Sequence, residues 1–281
     1  DEEHKFGVKQ KEKVRLHGRS VDVLSMSATP IPRTLSLAMS GFKSISTLSV
    51  APDCRKPIIT QVMWFDEIFI KNIILQEYSR GGQVYFVENN IQVLGAYSDL
   101  IMRLLPFLRV SIVHGKMTPS NIDKTMLSFV DKNVDVLIAT SIIESGLDIS
   151  NANTVIVNNA QNFGLSQLYQ IRGRVGRSTA QAFCYLVLPR GVNLNKNAFQ
   201  RLSAIEKNTH LGAGYNISNM DLEIRGGGSV FGYAQSGGNS VGFELYSSLL
   251  NEQVDPVGKK YFYNVNLSSY LSSFIPEDYI A

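Results

Sequence analysis

The chain has 281 residues, enough for one large domain or two small ones. Its 27 Lys and Arg against 24 Asp and Glu leave a formal charge of +3, and 44% hydrophobic with 18% charged residues excludes wholesale disorder. No apolar run approaches the roughly 18 residues that a membrane helix needs. The two cysteines, Cys54 and Cys184, form neither a CxxC pair nor a disulfide framework, so the sequence predicts a soluble protein of a reducing compartment.

In chain order, residues 1–50 hold one apolar run at 21–27 and one short helical pattern, too little for an independent core. Further runs rich in Val, Ile, Leu, Phe and Tyr follow at 59–65, 84–88, 110–114, 134–140, 154–158 and 183–188. Most are continuous rather than alternating, as strands buried on both faces are. Helical patterns separate them at 66–80, 91–105 and 119–131. Ile70, Ile73 and Ile74 keep one face of the first apolar, Gly81-Gly82 closes it, and Thr118-Pro119 opens the third. This alternation predicts an α/β fold, a doubly wound parallel sheet over residues 51–192. Residues 193–255 read as a helix, a glycine-rich loop with breakers at 225–228 and 236–240, and a second helix. Residues 256–281 mix Tyr, Asn and Ser around Pro276 as a strand-forming tail.

Four constellations suit phosphate chemistry. Asp1-Glu2-Glu3-His4 offers an acid that can hold Mg²⁺ and a neighbouring one that can polarise a water. Ser27-Ala28-Thr29-Pro30 puts hydroxyls at a strand end ahead of a helix-starting proline. The run Ala139-Thr140-Ser141-Ile142-Ile143-Glu144-Ser145-Gly146-Leu147-Asp148-Ile149 puts hydroxyls and amides where doubly wound folds bind ligands. Gly146 permits close backbone approach there, and Asp148 can accept from a ribose hydroxyl. Gln170-Ile171-Arg172-Gly173-Arg174-Val175-Gly176-Arg177 carries three arginines among glycines, poor material for a core. Arg174 and Arg177 are three apart, so on a helical turn both would face one polyanion. Taken singly, the four also read as a solvated tail, an N-cap, a strand-to-helix connection and a basic surface loop.

Taken together they are more specific. In order, residues 1–4, 27–30, 83–90, 113–117, 140–148 and 170–177 resemble motifs II, III, IV, IVa, V and VI of superfamily 2 helicases and translocases. Asp1-Glu2-Glu3-His4-Lys5-Phe6-Gly7-Val8 and Ala28-Thr29-Pro30-Ile31-Pro32-Arg33-Thr34-Leu35 narrow the resemblance to the branch shared by RecG-type fork-reversal helicases and transcription-repair coupling factors. Asp221-Leu222-Glu223-Ile224-Arg225-Gly226-Gly227-Gly228, with Gly232 and Gln235-Ser236-Gly237, resembles that branch's TRG loop, which couples ATP hydrolysis to double-stranded DNA translocation. Glu3, Asn162-Phe163-Gly164-Leu165 and the tail Ile275-Pro276-Glu277-Asp278-Tyr279-Ile280 favour the coupling-factor side. Departures from the pattern are Ser150 in place of a proline, Tyr169 in place of a histidine and Gly227 in place of alanine or proline.

The resemblance implies ATP and Mg²⁺ as cofactors, with Asp1 as the Mg²⁺-associated acid and Glu2 as the water-activating base. It implies that Arg174 and Arg177 reach the γ-phosphate, while Gly146, Asp148 and Gln170 line the nucleotide cleft. His114, Gly115, Thr140 and Ser141 would lie at the DNA backbone, and Arg225 and Gln235 would be the coupling residues of TRG. The implied partners are double-stranded DNA, with RNA polymerase and the excision-repair damage-recognition protein engaged through modules outside this chain; no membrane is implied, and the setting is the bacterial cytoplasm. No GxxxxGK[ST] phosphate loop occurs in these residues: Gly115-Lys116 and Gly258-Lys259 lack both the earlier glycine and the Ser/Thr. The expected organisation is therefore a remnant of a first RecA-like lobe (1–50), a second RecA-like helicase lobe (51–192), a TRG helical hairpin and loop (193–255) and the start of a further domain (256–281). Negligible ATP turnover by the chain alone is expected. The competing expectations are a RecG-type fragment and a non-catalytic nucleic-acid-binding module. The basic stretch Lys5, Lys9, Lys11, Lys13, Arg15 and Arg19 suits phosphate contacts or a solvated helix face.

Overall fold

The computed structural model describes residues 56–141, 149–210 and 212–225, with single positions at 10, 13, 24, 26, 27 and 46; the side chains of Leu222 and Arg225 are not among the described groups. The expected run at 21–27 and the tail 256–281 fall outside these residues, the first apart from single positions.

The elements in order are β1 (Ile59–Trp64), α1 (Glu67–Ser79), β2 (Gln83–Val87), α2 (Leu94–Leu104), β3 (Val110–Val113), α3 (Pro119–Val130), β4 (Val136–Ala139), β5 (Ala152–Val157), α4 (Leu165–Arg172), β6 (Phe183–Leu188), α5 (Lys196–Lys207) and α6 (Gly214–Arg225). Short 3₁₀ turns at Ile91–Val93 and Ala160–Asn162 lead into α2 and α4. Local chemistry sets the helix ends. Asp66 caps α1 by accepting from Ile68 N at 2.9 Å and Phe69 N at 3.0 Å, and Gly81, at φ 76°, turns the chain away after it. Pro119 opens α3 at a position where no donor is needed, and Asn195 caps α5 by accepting from Ala198 N at 2.7 Å.

All strands are parallel, in the order β1-β6-β5-β2-β4-β3. The central β2, β4 and β5 are buried at every residue, which is why they read as unbroken apolar runs; the edge strands β1 and β3 are only partly covered. Alternate side chains go to opposite faces. Val84, Phe86, Ile138, Ile156 and Val187 meet Ile70, Ile73 and Ile74 of α1 and Leu94 and Ile101 of α2. Tyr85, Val87, Leu137, Val155 and Val157 meet Phe129 of α3, Leu165, Leu168 and Ile171 of α4, Leu202 and Ile205 of α5 and Ile217 of α6. Each such fully buried side chain contributes about 1.5–3 kcal/mol, so two-sided burial of the central strands is the main source of stability.

The amino-terminal edge of the sheet is fastened by polar pairs. Glu77, 1% exposed, accepts from Arg80 Nη2 and from Thr154 Oγ1, linking α1 to β5. Arg80 donates through Nη1 to Gln181 O at 2.7 Å and lies over the Phe183 ring, 5.2 Å from its centroid. Gly82 leaves room for this group, since a Cβ there would fall 1.6 Å from Glu77 Oε1 and displace the carboxylate. At the same edge Asp135 accepts from Arg109 N at 2.8 Å and from its guanidinium at 2.7 and 3.0 Å.

Two expectations need correction. Two helices, α5 and α6, precede the glycines at 226–228 where one was expected; Gly212, at φ 85°, lies in the turn between them, and both pack against α4 and each other. The arginine motif is also not a surface loop throughout: Arg172 is 4% and Arg174 9% exposed.

Candidate functional site

Helix α2 follows β2 onto one face of the sheet and α4 follows β5 onto the other, although β2 and β5 are neighbours. The chain therefore leaves the sheet to opposite faces at their carboxyl ends, the place where doubly wound sheets bind ligands. The residues just beyond the strands are polar: Glu88, Asn89 and Asn90 after β2, His114 and Gly115 after β3, Thr140 and Ser141 after β4, and Asn158 and Asn159 after β5.

Of the residues expected at the DNA backbone, all four lie on this edge, at the ends of the paired strands β3 and β4. Thr140 is 8% exposed and its N donates to Val113 O at 3.3 Å. Ser141 is half-buried, and its N donates to Asn89 Oδ1 at 3.2 Å. Gly115 is exposed, and an added Cβ there would meet nothing within 4 Å, so the backbone is open to close approach. His114 Nδ1 is buried without a hydrogen-bond partner among the described residues. The Ser141 hydroxyl, the His114 ring and the open backbone at Gly115 can meet phosphate oxygens without reading base identity, whereas the Thr140 and Ser141 amides already donate within the protein.

The arginine motif begins on α4. Gly164 N donates to Gln167 Oε1 at 3.1 Å to close the helix start, and the helix stops at Arg172. Arg174 therefore lies in the following turn, and Gly176, at φ 76°, redirects the chain before Arg177. The two arginines are not on a common helical turn, as the spacing had predicted. The helix stops before Arg174, and Gly176, left-handed at φ 76°, turns the chain between the two arginines. Gln170 and Arg177 are half-buried and Arg174 is nearly buried. Arg172 has a different task. Its Nη1 donates to Ile205 O at 2.8 Å, capping the last turn of α5, and its guanidinium covers the Tyr169 ring at 5.0 Å. Burial lowers its pKa, and burial raises that of Tyr169.

Asp1, Glu2, Gly146, Asp148 and Gln235 lie outside the described residues, and only the backbone of Arg225 is described, at the last position of α6. Among the described residues no group of three or more His, Cys, Asp or Glu could hold a metal; Asp1, the acid expected to hold Mg²⁺, lies outside them. No helix of the described residues is long and apolar enough to cross a membrane.

Sequence reasoning missed one cluster. Glu88, 3% exposed, accepts through Oε2 from Asn158 Nδ2 and Asn159 Nδ2, both at 2.7 Å, and through Oε1 from Asn90 N at 2.9 Å. Asn158 Nδ2 also donates to Tyr97 OH at 2.7 Å. Burial raises the Tyr97 pKa; its bond to Asn158 works against that rise, and the Glu88 charge adds to it. The available signal was a glutamate, and a pair of asparagines, directly after unbroken apolar strands.

A parallel sheet of this order, wrapped on both faces and followed by a glycine-arginine turn, is a RecA-like helicase C-terminal lobe, and residues 66–179 match the helicase conserved C-terminal domain family. A solved structure titled "Structure of RecG bound to three-way DNA junction" is similar over 89% of this chain and 33% of its own, with 32% identity and a TM-score of 0.65. More particularly, the whole chain is similar to transcription-repair-coupling factors. Identity is 43% over 285 residues to those of Myxococcus xanthus and of Bacillus subtilis (strain 168), covering 100% of this chain and 24% of each relative. The resemblance drawn from the ordered motifs thus holds along the entire chain, which spans about a quarter of the length of these curated relatives.

Proposed function

We propose that the chain is the second motor lobe, with its coupling segment, of an ATP-dependent double-stranded DNA translocase that acts in transcription-coupled repair. In this reading Arg174 and Arg177 meet the γ-phosphate of an ATP held mainly by a partner lobe, and Gln170, Gly146 and Asp148 complete the nucleotide cleft. Arginine donors at that position stabilise the charge that builds up during phosphoryl transfer. Asp1 holds the Mg²⁺ and Glu2 orients the attacking water. The edge formed by His114, Gly115, Thr140 and Ser141 follows one DNA strand through its phosphates, and Arg225 and Gln235 pass cleft closure to that grip. The complete translocase would displace stalled RNA polymerase and recruit the excision-repair damage-recognition protein. Both of those partners would be bound by segments beyond these 281 residues.

The observation that carries this reading is the 43% identity to coupling factors over the whole chain, joined to a polar strand-end edge with open backbone at Gly115. A RecG-type motor is the second reading, favoured by the 32% identity to the RecG structure. The test is a coupled ATPase assay on the isolated chain and on a coupling factor into which the chain has been transplanted. The reading expects turnover only in the transplanted protein, stimulated by duplex DNA; comparable turnover by the isolated chain contradicts it. Displacement of a stalled RNA polymerase by the transplanted protein favours the coupling-factor reading, whereas regression of a DNA fork without it favours the RecG reading.

A further inference from the structure

We infer that Glu88 is a positioning residue for the DNA-facing edge: its buried carboxylate ties the ends of β2 and β5 together and, through Asn89, fixes the main-chain amide of Ser141. The inference rests on the proposed role of that edge and adds a residue to it.

The chain of contacts is continuous. Glu88 Oε1 accepts from Asn90 N at 2.9 Å, closing the three residues after β2 into a tight loop. That loop presents Asn89, whose Oδ1 accepts from Ser141 N at 3.2 Å at the end of β4. Glu88 Oε2 gathers the side-chain amides of Asn158 and Asn159, both at 2.7 Å, from the end of β5. Asn159 is left-handed at φ 52°, a region asparagine adopts more readily than most residues, and in that conformation its side chain is tied to Glu88.

The donor arithmetic makes the carboxylate specific. Three N–H donors converge on its two oxygens, so both must be acceptors. A glutamine has one acceptor oxygen, and in either orientation its NH₂ faces a donor. Glu88→Gln therefore keeps the size of the side chain but breaks the clamp at one end. Exchanging the polarity on the other side repairs most of it: in Glu88→Gln/Asn158→Asp the new amide donates to the new carboxylate and, once the Asn159 amide turns over, to Asn159 Oδ1, while the oxygen of the introduced glutamine still accepts from Asn90 N. Glu88 is 3% exposed and touches no ligand directly, so its effect reaches DNA only through Ser141 and its neighbours.

Two readouts test this on the 281-residue chain: amide hydrogen exchange at Ser141, and anisotropy of a fluorescent duplex of mixed sequence. Glu88→Gln is expected to speed exchange at Ser141 by about tenfold, the scale of one lost hydrogen bond, while amides inside β4 stay protected. Duplex affinity should fall by about tenfold with the salt slope unchanged, because no charge that faces phosphate has been removed. The double variant should recover most of both effects. Asn89→Ala, at an exposed position that cannot unfold the sheet, should speed Ser141 exchange on its own. Unchanged Ser141 exchange in both Glu88→Gln and Asn89→Ala, or a double variant no better than Glu88→Gln, overturns the inference. If the unaltered chain fails to bind duplex, the proposed function of the edge is contradicted, while the exchange measurement still decides the role of Glu88.

Discussion

Arg172 Nη1 donates to Ile205 O at 2.8 Å, so the third residue of an arginine-glycine motif caps a helix 33 positions further along the chain. The side chain is buried and its guanidinium is stacked on Tyr169, one helical turn before it on α4. This bond joins the arginine motif to α5, and Ser166 Oγ donating to Asp221 Oδ2 at 3.3 Å joins α4 to α6. Arg172→Ala leaves the Ile205 carbonyl without its donor and opens a space beside Tyr169. A loss of about 2–4 kcal/mol in unfolding free energy is expected from urea titration.

Gly176 has φ 76°, and a Cβ on it would stand 3.1 Å from Ile58 Cγ1 and 3.3 Å from Ala182 Cβ. Gly176→Ala therefore combines an unfavourable left-handed backbone with crowding in the core, and is expected to cost about 1–3 kcal/mol. Differential scanning calorimetry should show Tm lowered by several degrees, whereas Gly115→Ala, in open space, should leave Tm unchanged.

Asp135 gives a pH signature. Burial alone would raise its pKa, but the Arg109 side chain and backbone N–H outweigh burial and hold it below the usual carboxylate value of 3.8. The folded state thus releases this proton more readily than the unfolded state. Its contribution is complete above the unfolded-state value and is lost as pH falls through the lower, folded-state one. Asp135→Asn should lower stability by about 1–2 kcal/mol at neutral pH. Urea midpoints measured between about pH 5 and pH 2 should also fall less steeply for the variant than for the native chain.

Cys184 lies fully buried in β6, and burial pushes its thiol up to about 12, with the nearby Arg172 charge pulling slightly the other way. It should resist iodoacetamide at pH 8 in the folded chain and react once denaturant exposes it, as followed by peptide mass mapping. Labelling of Cys184 at equal rates with and without denaturant would contradict this packing.

The sheet was legible because parallel strands buried on both faces must be apolar at consecutive positions, and Val84–Val87 or Val136–Ala139 offer few other uses. Its polar exceptions were harder to see. β5 starts two residues before its apolar run because Asn153, 5% exposed, is satisfied inside by Asn151 O and Ser178 Oγ. Glu77 falls at a core-facing position of α1, but its partners Thr154 and Arg80, which meet it in the interior, could not be read from the pattern. Arg172 was likewise indistinguishable from its neighbours, since its partner Ile205 is remote in sequence. At the candidate site the strand ends and hydroxyls were readable from pattern, whereas the Glu88 cluster depends on β5 lying beside β2, a pairing across about 70 residues that periodicity does not reveal.

The central claim, that this chain works as the second lobe of a duplex-driven ATP motor, is tested most directly by transplanting it in place of the matching quarter of the Bacillus subtilis coupling factor. Steady-state ATP turnover would be measured with and without duplex DNA for the native chain, Arg174→Ala and Arg177→Ala. Duplex-stimulated turnover is expected for the native chain, falling by on the order of 10³-fold or more in each arginine variant while the fold is kept. Arginine variants that turn over ATP as fast as the native chain, or a folded transplant indifferent to duplex, would contradict it.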